Sequence, residues 1–433
     1  MICIGSTLKR GVGFSAVLAW VGGSLVAELV FSLRCLPSVM IRFSKWGAPT
    51  VRFVADFFLR FRTLLGELTH DFLRPSRSLP RFLDEIEMLA SVCLAIAFAH
   101  LLGAHNAGWA AFSGYLVMRS QLRATLTRGA LRVLGTLVGA GAACLLAGVV
   151  ENSDLWVSLS IALVGTATLY CAMTRVYSYA WLLASLTFAM VALDALQHPA
   201  VDVFVFATTR ILEVTAGTCA SVIVSMLSTL TVRSRLAAAA ATPSAVPASR
   251  VSSEPPKVDP TLQPLPSQNA ISHAAQAGLA LALTPFLGRW MDVQSFSQAA
   301  ITIIVVMMVP LSSPMPLGKT VRTKNIHRFL GCLAGAMVAG IMVLVFGPSW
   351  ITFTLGMSLG VLFGRHIENS GRSFAYVGTQ FSLVYLVLMV PDSYAHINVE
   401  RGIDRLDGIV VGMLLVELAR LLSFPWLRKS ARS

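Results

Sequence analysis

Charged residues are scarce in this sequence, and long apolar runs take their place. Only 13% of the 433 residues are Asp, Glu, Lys or Arg, whereas a soluble domain carries about 25%. Hydrophobic residues make up 55% of the chain, and the mean hydropathy is +0.72. A chain of this composition has too few polar side chains to cover its surface in water. The sequence therefore predicts an integral membrane protein and excludes an ordinary soluble domain.

The sequence also lacks the motifs that would indicate an enzyme or a metal protein. It contains no H-E-x-x-H, and its Gly-Lys-Thr at 318–320 has Ser313 where a phosphate-binding loop requires its first glycine. The seven cysteines form no C-x-x-C pair and are typical of small buried side chains; they are Cys3, Cys35, Cys93, Cys144, Cys171, Cys219 and Cys332. We therefore expect no enzymatic activity, no cofactor, no disulfide framework and no metal site.

The net charge of +13 comes from cations in short loops between apolar runs. This distribution indicates orientation in a membrane and not a nucleic-acid surface. Two such loops carry four basic residues each: Arg119, Arg123, Arg128 and Arg132 in the first half, and Lys319, Arg322, Lys324 and Arg328 in the second. The loops at 105–107, 151–154 and 197–202 carry no Lys or Arg. We expect the basic loops and both termini in the cytoplasm, and no nucleic-acid partner.

Apolar segments near the bilayer-crossing length of about 20 residues occur in two series of six. The first series is 86–103, 107–119, 130–150, 154–174, 178–195 and 204–230. The second series is 271–288, 296–313, 328–347, 349–364, 373–391 and 404–425. The sequence therefore predicts an all-α polytopic protein with about 12 transmembrane helices.

Polar motifs on the internal helices occur twice. The first copy contains Arg132-x-x-Gly135-x-x-x-Gly139, Tyr179-Ala180-Trp181 and Arg210-x-x-Glu213-x-x-x-Gly217. The second copy contains Arg328-x-x-Gly331-x-x-x-Gly335, Phe374-Ala375-Tyr376 and Arg405-x-x-Gly408-x-x-x-Gly412. The copies are offset by 196 residues at the first motif and by 195 at the other two. An even number of spans gives both copies the same orientation, so the sequence predicts two parallel six-helix repeats.

Composition suggests the domain limits. The repeats occupy 86–232 and 270–426, a Pro/Ala/Ser-rich cytoplasmic linker occupies 233–269, and a basic cytoplasmic tail occupies 427–433. In the N-terminal segment, 1–85, the stretch 12–33 is apolar enough for a signal anchor or an extra helix, although a wrongly assigned start would also explain it. The stretch 46–74 mixes Phe with Arg, which fits either a helix in the headgroup layer or a basic connector.

Two segments of the repeated sequence resemble a known family. Trp109-Ala110-Ala111, followed by Arg132-Val133-Leu134-Gly135-Thr136-Leu137-Val138-Gly139-Ala140, resembles the fusaric acid resistance and aromatic acid exporter family. The second copy, from His327 to Ala336, is similar but has no threonine at the position of Thr136. The resemblance covers 85–232 and 270–426. It implies an inner-membrane exporter with two six-helix bundles that moves aromatic carboxylic acids with a periplasmic adaptor. The sizeable cytosolic domains of many long members have no counterpart in this sequence.

Eight residues are candidates for binding an anionic, aromatic substrate. An ionisable group in a membrane helix costs about 2.5–3.5 kcal/mol and therefore usually faces a cavity or a partner. Aromatic side chains can stack on a ring. The candidates are Arg210, Arg405, Arg132, Arg328, Tyr179, Trp181, Phe374 and Tyr376. The alternative roles are snorkelling or structural arginines and aromatic anchors at the membrane interface.

Glu213 and Asp407 are candidates for proton coupling, because a carboxylate inside a membrane protein can load and release a proton during transport. Glu213 also follows Arg210 at the spacing of an i, i+3 ion pair. His100 and His273 could carry protons nearer neutral pH, although a lone histidine on a helix is more often simply hydrogen-bonded. Close helix packing is the predicted role of Gly135, Gly139, Gly331 and Gly335.

The function that these observations favour is export of small organic, mainly aromatic, acids by a secondary transporter in the inner membrane. Two other functions stay open at this point. The same arginines could select anions in a channel, or the protein could be a membrane scaffold without a transport path. The sequence is compatible with a homo-oligomer and with an adaptor, but it specifies neither.

Overall fold

The computed structural model describes residues 79–104, 106–147, 153–236, 267–290, 296–309, 317–370, 374–390 and 400–430. These residues all belong to a compact unit that extends from Pro75 to Ser433. The predicted anchor at 12–33, the predicted interfacial helix at 46–74 and most of the linker lie outside the described residues. Every regular element among the described residues is a helix, and none of them forms a β-strand. This confirms the all-α class.

Thirteen helices occur in the described ranges. The first six are α1 (Leu79–Leu101), α2 (Ala107–Val117), α3 (Leu122–Ala147), α4 (Asp154–Thr174), α5 (Ser178–Gln197) and α6 (Val203–Ser228), and a π-helical turn, Thr229–Arg233, continues α6. The others are α7 (Ser267–Ala282), α8 (Thr284–Trp290), α9 (Phe296–Met307), α10 (Leu317–Phe346), α11 (Trp350–Glu368), α12 (Ala375–Met389) and α13 (Glu400–Ser430).

Six helical segments in the described part of the chain are long and apolar enough to cross a membrane. They are Leu122–Ala147, Asp154–Thr174, Ser178–Gln197, Val203–Leu236, Ala270–Leu287 and Leu317–Phe346. Their outer faces carry exposed apolar side chains such as Leu137, Leu163 and Ile341, which suits contact with lipid tails. The chain is therefore a multi-pass membrane protein.

Helices α2 and α9 differ from the predicted spans. They have 11 and 12 residues, whereas a bilayer crossing needs about 20. Nearly all of their side chains are buried among other helices, so neither helix is covered by lipid. Short helices that end inside a membrane protein are tolerated where protein groups satisfy their free backbone carbonyls.

Helix contacts recur in pairs along the chain. Helix α3 packs on α5 as α10 packs on α12, and α2 packs on α6 as α9 packs on α13. Contacts between the first six helices and the last seven recur in the same way: α2 with α12 and α9 with α5, and α1 with α11 and α7 with α4. The short helices α2 and α9 are thus enclosed by helices from both parts of the chain.

Glycines allow the close contact between α3 and α5. A Cβ on Gly135 would overlap the carbonyl oxygen of Ala180 and lie 2.8 Å from the Cβ of Leu183. A Cβ on Gly139 would overlap the carbonyl oxygen of Ala184. Any larger residue would separate the two helices, which is the packing expected of a small-residue seam.

The contact between α10 and α12 has the same form. A Cβ on Gly331 would lie 2.5 Å from the carbonyl oxygen of Val377 and 2.7 Å from the Cβ of Gln380. A Cβ on Gly335 would lie 2.7 Å from the carbonyl oxygen of Phe381. All four glycines predicted to pack helices therefore lie in tight helix contacts.

These contacts correct the predicted alignment of α5 and α12. Ala180 and Val377 face equivalent glycines, and so do Ala184 and Phe381, which gives an offset of 197 residues. The aromatic motifs Tyr179-Ala180-Trp181 and Phe374-Ala375-Tyr376 predicted an offset of 195 residues between α5 and α12, and this prediction is wrong by two residues. The counterpart of Tyr179 is therefore Tyr376 and not Phe374.

Candidate functional site

A cavity of about 330 Å³ lies where the two parts of the chain meet. Its walls come from α2, α3, α5 and α6 on one side and from α9, α10 and α12 on the other, with the last residue of α11 at one end. Six cations line it: Arg119, Arg128, Arg132, Arg210, Lys324 and Arg328. Two carboxylates line it: Glu213 and Glu368. The lining is otherwise largely apolar and aromatic, so a positive field acts in a low-dielectric space.

Arg132 lies on α3 and is only 4% exposed. Its Nη1 donates a hydrogen bond to the Tyr179 hydroxyl at 2.9 Å, and its Nη2 donates to the Ser113 hydroxyl at 3.2 Å. Its Nε is buried and has no hydrogen-bond partner within the described ranges. Among the residues that the structure describes, no carboxylate pairs with Arg132.

Arg328 occupies the corresponding place on α10 and is 3% exposed. Its Nε donates to the Thr302 hydroxyl at 3.2 Å, and its Nη1 donates to the amide oxygen of Gln380 at 2.6 Å. Both acceptors are neutral, and no carboxylate within the described ranges pairs with this arginine. A buried cation without an anion costs several kcal/mol. Two such cations beside one cavity therefore favour the entry of an anion.

A second pair of cations reaches the C-terminal ends of the short helices. The Nε of Arg128 donates to the carbonyl oxygen of Leu116 at 2.9 Å, and the Nζ of Lys324 donates to that of Val305 at 3.0 Å. A cation at a helix C-terminus is favourable, because the last carbonyls are unpaired and carry partial negative charge.

The same two cations lie near the paired tyrosine rings. Arg128 lies 4.3 Å from the centre of the Tyr179 ring, and Lys324 lies 5.8 Å from that of Tyr376. In the loop before α3, burial and the neighbouring Arg128 lower the pKa of Arg119 to about 10. Arg119 therefore stays charged at neutral pH and adds to the positive field of the cavity.

Arg210, in contrast, is paired with acidic side chains. Its Nη1 donates to the Glu213 carboxylate at 3.0 Å, and its Nη2 lies 3.5 Å from the Asp194 carboxylate. The ring of Trp109 lies 4.8 Å from its guanidinium carbon. The predicted i, i+3 pair with Glu213 is present. Asp194 was missed, although an acidic residue inside an apolar run is a usable signal.

The other predicted site residues are not part of the cavity lining. Trp181 is exposed, and Phe374 is buried away from the cavity. Asp407 is exposed and does not line the cavity. The side chain of Arg405 lies outside the part of the chain that the structure describes. The predicted set is thus divided, and Arg132, Arg328, Arg210, Glu213, Tyr179 and Tyr376 meet at one place.

The histidines and cysteines of the described ranges do not line this cavity. His100 is exposed, and the ring of His273 contacts the carbonyl oxygen of Met307 through Nε2 at 2.8 Å. The five cysteines in the described ranges are unpaired with one another. Those ranges contain no group of three or more His, Cys, Asp or Glu residues that could hold a metal ion.

An ion-pair cluster that was not predicted adjoins the cavity through Glu368. The carboxylate of Glu368 accepts a hydrogen bond from the Tyr115 hydroxyl at 2.7 Å and pairs with Arg365 at 3.0 Å. Arg365 also pairs with Asp84 at 2.7 Å, and Asn369 donates to the same carboxylate at 2.8 Å. The cluster joins α11 to α1. Arg365 and Asp84 are 281 positions apart, so no local sequence pattern predicts this contact.

Comparison with known proteins agrees with this architecture. Residues 86–250 match the family described as the fusaric acid resistance protein family. Residues 279–415 match the family described as fusaric acid resistance protein-like. No curated protein and no solved structure matches the chain. The two matched regions together cover most of the sequence and include both arginines that line the cavity without a carboxylate partner among the described residues. The chain therefore belongs to the fusaric acid resistance protein family of membrane transport proteins.

Proposed function

We propose that the protein is a secondary transporter that exports small organic acids, aromatic carboxylic acids among them, across the inner membrane. The observation that carries this proposal is the pair of buried arginines, Arg132 and Arg328, beside one cavity. Neither has a carboxylate partner in the described part of the chain. An incoming carboxylate would supply the missing negative charge, and an arginine binds a carboxylate through strong charge-assisted hydrogen bonds.

The size and walls of the cavity support a small aromatic substrate. Its volume of about 330 Å³ lies at the lower end of the range for ligand sites, about 300–1,000 Å³. Trp109, Phe112 and Tyr179 line the part that contains Arg132. An acid with one ring would bring its charge to an arginine and its apolar surface to these side chains.

We place the cavity between two parallel six-helix repeats, 86–232 and 270–426, with twelve membrane helices in total. The paired helix contacts support this arrangement, with α2 and α9 as short central helices. Substrate sites at the interface of two repeats suit alternating access, because each repeat can tilt against the other. The basic loops and both termini lie in the cytoplasm in this proposal, and a periplasmic adaptor would complete the export route.

Proton coupling is assigned to Glu213. It is 1% exposed, lines the cavity and shares Arg210 with Asp194. Protonation of Glu213 would remove one of the two negative charges beside Arg210 and change the charge of the cavity. A carboxylate in a membrane interior is suited to this role. Asp407 has no part in the proposal, because its exposed side chain does not line the cavity.

Acid tolerance of cells tests this function. A bacterial strain sensitive to weak acids would express the wild type, Arg132→Ala or the control Arg123→Ala, and growth would be followed with aromatic and aliphatic acids. Arg123 is exposed on the same helix as Arg132. We expect protection by the wild type and by Arg123→Ala, but not by equally expressed Arg132→Ala. Glu213→Gln should lose uphill export, whereas Asp407→Asn should keep it.

Efflux of labelled benzoate from the same cells separates the alternatives. A secondary exporter saturates with substrate and stops when an uncoupler removes the proton gradient. A channel would give large electrical currents that do not saturate with substrate, which recordings from the same membranes would measure. A scaffold would give neither protection nor current, and either of these two results would refute the proposal.

A further inference from the structure

We infer that the two halves bind the substrate unequally: Arg132 and Thr136 of the first half hold the carboxylate, while the second half has Cys332 in place of the threonine beside the equivalent arginine, Arg328. The inference rests on the proposed function, because it assumes an organic acid as the ligand. It adds Thr136 as a binding residue and assigns the acid group to one of two sites that the repeated sequence makes similar.

The first half offers two buried donors that the protein itself leaves unused. The Nε of Arg132 and the Oγ1 of Thr136 are both buried and have no hydrogen-bond partner among the described residues. The two residues are 4% and 1% exposed, and both line the cavity. They lie one turn apart on α3, at the i, i+4 spacing that places side chains on the same helix face. A carboxylate has two oxygens and can accept from both donors at once.

Among the described residues, the second half has no counterpart of the open Thr136 hydroxyl. The Nη1 of Arg328 is already bonded to the amide oxygen of Gln380 at 2.6 Å. The counterpart of Thr136, at an offset of 196 residues, is Cys332. A thiol is a weak donor, and Cys332 does not line the cavity.

The two arginines meet different acceptors on the neighbouring helices. Gln380 and Leu183 occupy equivalent positions, because their Cβ atoms lie 2.7 and 2.8 Å from a Cβ added to Gly331 and to Gly135. Leucine has no acceptor, so α5 contacts Arg132 through the Tyr179 hydroxyl at Nη1 instead, and the Nε of Arg132 has no acceptor among the described residues. Leu183 lines the cavity and leaves Arg132 accessible from it.

The short helices can be aligned by the same kind of contact. A Cβ on Gly217 would lie 2.6 Å from the Cβ of Ser113, and a Cβ on Gly412 would lie 2.8 Å from that of Thr302. Ser113 and Thr302 are also the hydroxyl partners of the two arginines. The offset between α2 and α9 is therefore 189 residues.

This alignment shows that the aromatic side chains that α2 supplies to the first site have no counterparts on α9. Trp109 and Phe112 of α2 correspond to Gln298 and Ile301 of α9. The ring of Phe112 lies 5.9 Å from the guanidinium carbon of Arg132 and packs 5.1 Å from the ring of Trp109. An acid bound by Arg132 and Thr136 would therefore have the two rings of α2 beside its apolar part, whereas α9 offers Gln298 and Ile301 at the same positions.

Direct binding of benzoate to the purified full-length protein in lipid nanodiscs, measured by calorimetry, tests this assignment. The variants are Thr136→Val, which keeps the side-chain shape, Thr136→Ser, which keeps the hydroxyl, and Cys332→Val as the matched change in the other half. We expect Thr136→Val to weaken binding about tenfold, because one hydrogen bond to a charged group is lost. Thr136→Ser and Cys332→Val should bind as the wild type does.

Leu183→Gln provides a second, independent variant. A glutamine at this position would bring an amide oxygen to the guanidinium of Arg132, in competition with the carboxylate for its open Nε, and benzoate binding should fall by at least about tenfold. Gln380→Leu should not weaken binding, since it only frees Arg328. Equal losses in Thr136→Val and Cys332→Val, no loss in Thr136→Val, or no binding to the wild type would overturn the inference.

Binding and export can fail separately. The wild type could bind benzoate, and the variants could change that binding as expected, while the protein protects no cells. This result would leave the binding assignment intact and refute the proposed transport function. A wild type that exports benzoate while Thr136→Val binds normally would refute the assignment alone.

Discussion

At the scale of single residues, the buried arginines differ in what neutralises them. Arg365 pairs with Asp84 at 2.7 Å and with Glu368 at 3.0 Å. Arg132 and Arg328 bond to neutral oxygens only, within the residues described. The first arrangement holds two helices together, whereas the second keeps positive charge available to a ligand at a cost in stability.

This difference predicts opposite effects of the same substitution. Arg365→Met should destabilise the protein by about 3–5 kcal/mol, because it leaves buried carboxylates without their partner. Arg132→Met should leave the thermal midpoint of the unliganded protein unchanged or raise it, because it removes a buried cation without an ion pair. Thermal unfolding in detergent would measure both. A loss in Arg132→Met as large as that in Arg365→Met would show that Arg132 is structural.

At the scale of helices, small residues decide how closely neighbours approach. Gly135 and Gly331 contact backbone carbonyls of α5 and α12, but Gly141 and Gly340 on the same two helices have no atom within 4 Å of an added Cβ. Each helix therefore carries a packed glycine and an open one. Close approach at the packed positions brings Arg132 and Arg328, one turn earlier on each helix, next to the cavity.

Alanine at the packed and open positions should have different effects. Gly135→Ala should destabilise the protein by about 1–3 kcal/mol, because its Cβ would meet the Ala180 carbonyl and force the helices apart. Gly141→Ala should be neutral or stabilise it by up to about 1 kcal/mol, because alanine has the higher helix propensity. Thermal midpoints in detergent would compare the two. Equal effects would mean that the α3–α5 contact is looser than described.

At the scale of the whole molecule, two equivalent contacts join the halves with different chemistry. The contact of α1 with α11 contains the ion pairs around Arg365. The contact of α4 with α7 is close and mainly apolar, and a Cβ on Gly278 would lie 3.4 Å from the Cβ of Thr166. This distance between the two Cβ positions is close to the Cβ–Cβ distance in a disulfide, about 3.5–4.5 Å.

A cross-link at this contact would test whether the halves move during transport. Thr166→Cys with Gly278→Cys, in a background in which the native cysteines are replaced, should form a disulfide under oxidation. If the halves tilt against each other, oxidation should stop benzoate export and a reductant should restore it. Gly278→Cys alone is the control, because its Cβ would lie 2.9 Å from the carbonyl oxygen of Ala162 and could impair export without any disulfide. Full export by the oxidised double variant would contradict alternating access at this interface.

Sequence reasoning succeeded where the signal is local. The Arg210–Glu213 pair follows from an i, i+3 spacing, and the glycine seam of α3 follows from its own repeat pattern. It failed where the signal crosses helices. The aromatic motifs suggested that Tyr179 corresponds to Phe374, but backbone contacts with the glycines pair it with Tyr376. Similar residue types two positions apart are easily aligned in the wrong register when only the sequence is compared.

The sequence by itself determined that this is a helical membrane protein, where its apolar segments lie and which arginines occur at equivalent positions. These properties depend on the length of apolar runs and on charges counted along the chain. Only the tertiary structure decided that Arg132 and Arg328 meet one cavity, that Asp194 joins Arg210 and that Gln380 contacts Arg328 where Leu183 lies beside Arg132. Those outcomes depend on contacts between distant residues, and no local pattern specifies which side chain will face an arginine across a helix interface.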